Sequence, residues 1–169
     1  MYSRPSRDEY YLEIAKSIGS RSPCMRKKFG AIIVKNDTIV STGYNGPPRG
    51  GVNCFDIGCV REELDMEHYA AYDATCPAVH AEENCIVNAA RNGTKVFGGV
   101  LYIQGVSPTD NSLVESRPCH RCRRALINAG VDEVVTRDTG GKVIKYNVVD
   151  WTKEDTDAYV KTYNEVKKK

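Results

Sequence analysis

Two short segments of this chain have to meet. His80-Ala81-Glu82 and Pro118-Cys119-His120-Arg121-Cys122 are well separated in sequence, yet together they hold one imidazole, two thiols and a carboxylate. One imidazole and two thiolates can bind Zn²⁺ and leave the fourth tetrahedral position for water. The fold must therefore bring the starts of both segments to one point. Each segment also opens a helical pattern, and a helix N-terminus carries about half a positive charge, which stabilises thiolates in its first turn. The spacing of three puts Cys119 and Cys122 on one face of that turn. Pro118 presets φ just before it and needs no N–H donor. His80 and Glu82, two apart, do not share a helix face, so His80 is assigned to the metal and Glu82 to the metal's water.

The rest of the chain reads as alternating elements. Arg7 to Ser20 is a helix, with Tyr11, Ile14, Ala15 and Ile18 at helical spacing. Phe29–Val34 and Thr38–Thr42 are strands joined by an Asn36-Asp37 turn. Gly43-Tyr44-Asn45-Gly46-Pro47-Pro48-Arg49-Gly50-Gly51 suits neither helix nor strand. The pattern is then weak as far as Val79, with a short helix possible within Glu62–Ala74. His80–Asn92 is a helix closed by Gly93, and Cys85 on its inner face reads as core. Val100–Ile103 is a strand, Gly105–Pro118 a polar loop long enough to suggest function, and Cys119–Ala129 a helix ended by Gly130. Strands at Asp132–Thr136 and Val143–Val149 precede a helix at Thr152–Val166, capped by Thr152 with Asp155 three residues on. This order, α-β-β-α-β-α-β-β-α, predicts an α/β fold with helices on both faces of a mixed sheet, in one domain over residues 1–169.

Composition excludes several classes. No apolar run is long enough to span a bilayer. A net charge of +2 does not argue for nucleic acid, and the Lys167-Lys168-Lys169 tail reads as a solvated helix end. The polar, aromatic Met1–Tyr11 segment has no signal-peptide core. Seven cysteines, an odd number without a secretion signal, favour thiols and metal thiolates over disulfides, hence a reducing cytoplasm.

Three readings compete for the Cys119/Cys122 pair: a closed structural zinc site, a redox dithiol, and a catalytic centre. The strand-then-helix setting of a redox dithiol is missing. The combination H-x-E … P-C-x-x-C, with an acid–base carboxylate beside the ligands, is the pattern of zinc-dependent nucleobase deaminases. His120, between the two cysteines, reads as an exposed or pocket-lining residue rather than a ligand.

The chain resembles the cytidine and deoxycytidylate deaminase superfamily, and within it most closely the deoxycytidylate (dCMP) deaminases. The resemblance runs from about Ser22 to Val135. Its residues are Ser22-Pro23-Cys24, Phe29-Gly30-Ala31-Ile32-Ile33-Val34, Gly43-Tyr44-Asn45-Gly46, His80-Ala81-Glu82-Glu83-Asn84 and Pro118-Cys119-His120-Arg121-Cys122. The two ligand motifs mark only the superfamily; Gly-Tyr-Asn-Gly followed by Pro and Gly, with Cys24 upstream, narrows it. A long insert at Gly105–Arg117 and Phe29 in place of a commoner valine depart from the family pattern.

The resemblance implies a three-layer α/β/α cytidine-deaminase-like fold with a mixed five-stranded sheet, and a homohexamer. It implies hydrolytic deamination of dCMP to dUMP, feeding thymidylate synthesis. Activation by dCTP and inhibition by dTTP, with Mg²⁺ on the triphosphate, are expected too. Zinc would activate the water; Glu82 would take its proton and pass it to ring N3, hydroxide would attack C4, and Glu82 would then carry a proton to the amino group, which leaves as ammonia. Gly43, Tyr44, Asn45, Gly46 and Ala81 are implied to hold nucleotide, with Arg26 and Lys28 near effector phosphates. Some family members also carry a structural zinc before the His-Ala-Glu helix. Cys24, Cys54 and Cys76 stand at suitable positions for it here, with Cys59 or His68 as fourth ligand. Residues 52–79 have little apolar content of their own, so a metal staple would order them. Two other hypotheses stay open: a deaminase of another base or nucleoside, and a non-catalytic zinc module. A purely structural site has no use for Glu82.

Overall fold

The computed structural model describes residues 3–66 and 75–168. Helix α1 (Arg7–Gly19) begins where Ser6 and Glu9 cap each other: the Ser6 hydroxyl accepts from the Glu9 N–H, and the Glu9 carboxylate accepts from the Ser6 N–H. Strands β1 (Lys28–Lys35) and β2 (Thr38–Tyr44) follow, joined only by Asn36 and Asp37. Those two residues have φ of 49° and 59°. Paired left-handed residues let a two-residue hairpin follow the natural strand twist, and Asn and Asp tolerate that conformation well. Two single turns come next, α2 (Cys54–Ile57) and α3 (Val60–Glu63). The second half of the chain comprises α4 (Ala81–Arg91), β3 (Val100–Val106), β4 (Leu113–Val114), α5 (His120–Ala129), β5 (Glu133–Arg137), β6 (Val143–Asn147) and α6 (Val148–Lys167).

The sheet runs β2-β1-β3-β5-β6, with β4 paired to β3 off this path. Only β3 and β5 are parallel. Side chains alternate faces along each strand, and the two faces carry separate cores. Ile32 and Val34 of β1 and Tyr102 of β3 pack with Leu12 and Ala15 of α1. Ala31, Ile33, Leu101 and Ile103 face the other way, toward Cys85 of α4 and Leu126 of α5. The layers are therefore α1, sheet, then α4 and α5, the expected three-layer α/β/α arrangement.

Local details depart from the sequence expectations. The sheet has six strands rather than five, because β3 runs on to Val106 and turns back through β4, pairing Gly105 with Val114 and Val106 with Leu113. Much of the expected Gly105–Pro118 loop is thus a hairpin. The last helix starts at Val148, not Thr152; the Asn147 side chain caps it by accepting from the Val149 N–H. Its first turns bury Val148 and Trp151, whereas every residue from Thr156 to Lys167 is exposed. A short helix lies at Val60–Glu63, and residues 67–74 of the weakly patterned segment lie outside the described residues. Among the described residues no helix is long and apolar enough to cross a membrane.

Candidate metal centre

His80 arrives on a braced segment. Val79, just before it, forms an isolated antiparallel bridge with Gly46: Gly46 N–H donates to the Val79 carbonyl and Val79 N–H to the Gly46 carbonyl. The helix His80 introduces is fastened to the sheet by polar contacts. Ser41 donates to the Cys85 carbonyl, Asn84 to the Tyr44 carbonyl and Asn88 to the Thr42 carbonyl, while the Cys85 thiol donates to the Ala31 carbonyl. Gly43 makes this approach possible. A Cβ there would stand 2.5 Å from the Cys85 nitrogen and nearer still to the Ala81 carbonyl oxygen.

The cysteine loop is braced from its other side. Ser116 accepts from the Gly105 N–H at 2.7 Å and donates to the Val114 carbonyl. Cys119 is the N-cap residue of α5, and His80 that of α4, so both ligand motifs open helices as their spacing predicted. Arg121 of α5 meets Glu83 of α4 at 2.9 Å, joining the two first turns.

At the junction, His80 Nδ1 lies 3.6 Å from Cys119 Sγ and 3.4 Å from Cys122 Sγ. Zn–S of about 2.3 Å and Zn–N of about 2.05 Å at a tetrahedral angle require an N···S separation of about 3.6 Å. The donor set and its spacing therefore fit zinc. Among the described residues this is the only group of three or more His, Cys, Asp or Glu side chains with ligand atoms all within 4.8 Å of one another. The hydrogen bond from Cys122, with that from His80, pulls the Cys119 thiol down to about 3. Cys122, holding the shared proton and buried, is pushed up. Burial alone would lower His80, but its bond to Cys119 and the negative charges of Glu82, Cys119 and Glu83 outweigh that and raise it. Metal binding replaces these protons.

Glu82 is 4% exposed. Desolvation raises its carboxyl above the ordinary range, against the opposing pull of the His80 charge and a hydrogen bond to Cys122. A buried carboxyl with a raised pKa, touching the ligand cluster, has the character of an acid–base group.

The other sequence candidates stand in different surroundings. The Asn45 side chain accepts from the Phe29 N–H at 2.8 Å and donates to the Lys27 carbonyl at 3.0 Å, so its amide braces the start of β1. Tyr44 is partly exposed, and Ala81 is fully buried in the core. Arg26 donates to the Met66 carbonyl. Lys28 lines a groove of about 310 Å³ with Glu13, Lys16, Ser17 and Asn111, on the α1 side of the sheet and away from the metal centre. Burial chiefly, and the electrostatic influence of Cys59, Cys24 and Cys76, raise the Cys54 thiol, so the four side chains lie in one neighbourhood. They do not form a ligand-spaced group. His68 lies outside the described residues. His120 is exposed and paired with Asp155 at 3.2 Å, away from any ligand role. Sequence reading missed Arg123, which is buried in the first turn of α5. Its one signal was position: it lies four residues after Cys119 and three before Leu126, on the helix's inner face.

Fold and site define a class: an α/β/α protein with a His-Cys-Cys cluster spaced for zinc at two helix N-termini. Residues 5–137 match the model of the cytidine and deoxycytidylate deaminase zinc-binding region; the chain belongs to this family. The deoxycytidylate deaminase of Enterobacteria phage T4 is 32% identical over 186 residues, covering 93% of this chain and 89% of that protein. That of Schizosaccharomyces pombe is 34% identical over 132 residues, 78% of this chain. The chain spans only 37% and 38% of the length of the two yeast relatives it matches. Among solved structures, the dCMP deaminase of cyanophage S-TIM5 in complex with dCMP and dUMP superposes with a TM-score of 0.58 at 28% identity, covering 81% of this chain and 85% of that one.

Proposed function

We propose that this protein is a zinc-dependent deaminase that hydrolyses dCMP to dUMP and ammonia and so supplies dUMP for thymidylate synthesis. The observation that carries this is the buried Glu82 carboxyl beside a His80-Cys119-Cys122 cluster spaced for zinc. Bound there, zinc supplies an activated water at neutral pH. Glu82 would accept a proton from water at the site and deliver it to ring N3; it would then take the proton of the new C4 hydroxyl and pass it to the exocyclic amino group, so that C4 keeps the oxygen and ammonia leaves. We place nucleotide contacts at the Gly43–Gly46 segment and Ala81, as the resemblance implies; the Gly46 bridge to Val79 holds that segment beside His80. The T4 relative's activity and the dCMP and dUMP bound to the cyanophage protein support this choice of substrate.

The finer parts of this reading rest on the family. We place effector phosphates, carried as Mg²⁺ complexes of dCTP (activating) and dTTP (inhibiting), at Lys28. Lys16 lines the same groove, in the layer opposite the catalytic centre. Arg26 serves the same role less directly, being engaged with the Met66 carbonyl. A second, structural zinc belongs to Cys24, Cys54 and Cys76 with Cys59 or His68, supported by the proximity of the four thiols; one zinc per chain in purified protein contradicts it. A homohexamer is supported by large apolar side chains left open in one copy, including Phe55, Ile57, Leu64, Tyr159 and Tyr163. All seven cysteines are free thiols, which suits a reducing cytoplasm. The test follows loss of the cytosine absorbance with dCMP, deoxycytidine and cytidine, each with and without dCTP–Mg²⁺ and with dTTP. Turnover of dCMP that rises with dCTP and falls with dTTP supports the whole reading. Preference for an unphosphorylated nucleoside overturns the substrate, and indifference to both triphosphates overturns the regulation.

A further inference from the structure

Four basic side chains follow Cys119 in close order, and three behave as surface residues. His120, Arg121 and Arg124 are 74%, 60% and 70% exposed. Arg123 is 7% exposed. A buried guanidinium is costly to desolvate unless its hydrogen bonds are met, so what Arg123 bonds to is informative. Its Nε donates to the Pro118 carbonyl at 3.0 Å. Its Cζ lies over the indole of Trp151, 5.1 Å from the ring centroid, and Nη1 is 3.5 Å from Glu154. Its backbone N–H donates to the Cys119 carbonyl at 2.9 Å. One residue thus grips the peptides on both sides of the Cys119 α-carbon. Trp151 is itself 1% exposed and part of the core on that face of the sheet, so the grip is anchored.

We infer that Arg123 is a positioning residue for the metal centre: it fixes the Pro118–Cys119 peptide, and with it the Cys119 sulfur, against α6. The last helix carries no catalytic group, yet through Trp151 and Glu154 it sets the rigidity of the cysteine loop. A planar five-donor fork suits this task, because one face stacks on the indole while an edge donates to a carbonyl; an ammonium does not do both. An aliphatic side chain of similar length would pack on Trp151 but leave the Pro118 carbonyl buried without this partner. Groups that orient metal ligands typically change metal affinity or activity by about 10–100-fold when removed.

The inference rests on the deaminase reading, so the test separates them. Zinc content is measured first on the wild type, then the rate of zinc transfer to a chromogenic chelator for wild type, Arg123→Met and Arg123→Lys. A comparison variant, Leu126→Ala, lowers stability from the same helix without touching the Pro118 carbonyl. Arg123→Met should lose zinc roughly tenfold or more faster than wild type. Arg123→Lys should be intermediate, and Leu126→Ala should fall close to wild type at temperatures where all remain folded. With dCMP, the Arg123 variants should lower kcat and leave KM near the wild-type value. Zinc release from both Arg123 variants at the wild-type rate, or equal acceleration in Leu126→Ala, overturns the positioning role. If Arg123→Met does not fold, Arg123→Lys decides. Wild-type protein that holds no zinc overturns the underlying reading instead.

Discussion

Gly43→Ala is a test in which one methyl group distinguishes packing from ligand contact. Gly43 sits opposite Ala31 on the sheet, directly under the first turn of α4. The added Cβ would meet the Cys85 nitrogen at 2.5 Å, where ordinary contacts begin at 3.4 Å, and the Ala81 carbonyl oxygen more closely still. Both are backbone atoms, so no rotamer change relieves the clash. The helix has to lift by about 0.9 Å, the difference between those two distances. Overpacking of this kind costs about 1–3 kcal/mol. At about 2–4 °C per kcal/mol for a chain of this length, Tm falls by roughly 2–12 °C. Because His80 and Glu82 ride on the same turn, a shift near 1 Å also lowers kcat by up to about 10²-fold. Thermal unfolding, zinc content and dCMP kinetics on one preparation read all three effects. A variant with wild-type Tm and kcat but a raised KM would refute this reasoning and return Gly43 to the nucleotide-contact role that the resemblance implied.

Other outcomes follow from the same geometry. Burial raises the folded-state pKa of Glu82 above its unfolded value. The associated stability is complete below the unfolded pKa and is lost as pH rises through the folded one. In metal-free protein, Glu82→Gln should therefore raise Tm at pH 7, by a margin that shrinks toward pH 4; thermal unfolding in a chelator checks this, and a lower Tm than wild type at pH 7 contradicts it. Asn45→Ala should lose about 1–3 kcal/mol in chemical denaturation, because it strips partners from the Lys27 carbonyl and the Phe29 N–H. His120→Ala should keep its zinc and stay within about twofold of wild-type activity, since the exposed imidazole's contact with Asp155 contributes at most about 1 kcal/mol; loss of metal would make His120 a ligand.

What could be read in the sequence was whatever depends on near neighbours. The Asn36-Asp37 turn, the helix starts at His80 and Cys119 and the sheet's two-sided burial all follow from residues within a few positions of one another. Other features depend on distant partners. Strand β4 is two residues long and carries no period; it exists because Gly105 and Val106 of β3 are there to pair with it. Asn147 ends β6 and caps α6 at once, so the cap at Thr152 was sought one turn too late. Gly43 and Asn45 stand in a glycine-rich motif that reads as a ligand loop; what the sequence did not show is that Gly43 makes room for α4 and that the Asn45 amide braces the start of β1. Arg123 stands among basic residues whose side chains are otherwise exposed, and Trp151, far along the chain, turns it inward.

The central claim is that Glu82 does proton chemistry at a zinc held by His80, Cys119 and Cys122. Its most direct test is ammonia release from dCMP by wild type and Glu82→Gln, each with its zinc content measured. Zinc is expected in both proteins, with kcat of Glu82→Gln lower than wild type by about 10³-fold or more, as removing a carboxylate that serves two proton transfers should cost. Zinc-loaded Glu82→Gln that turns over dCMP within tenfold of wild type would contradict it.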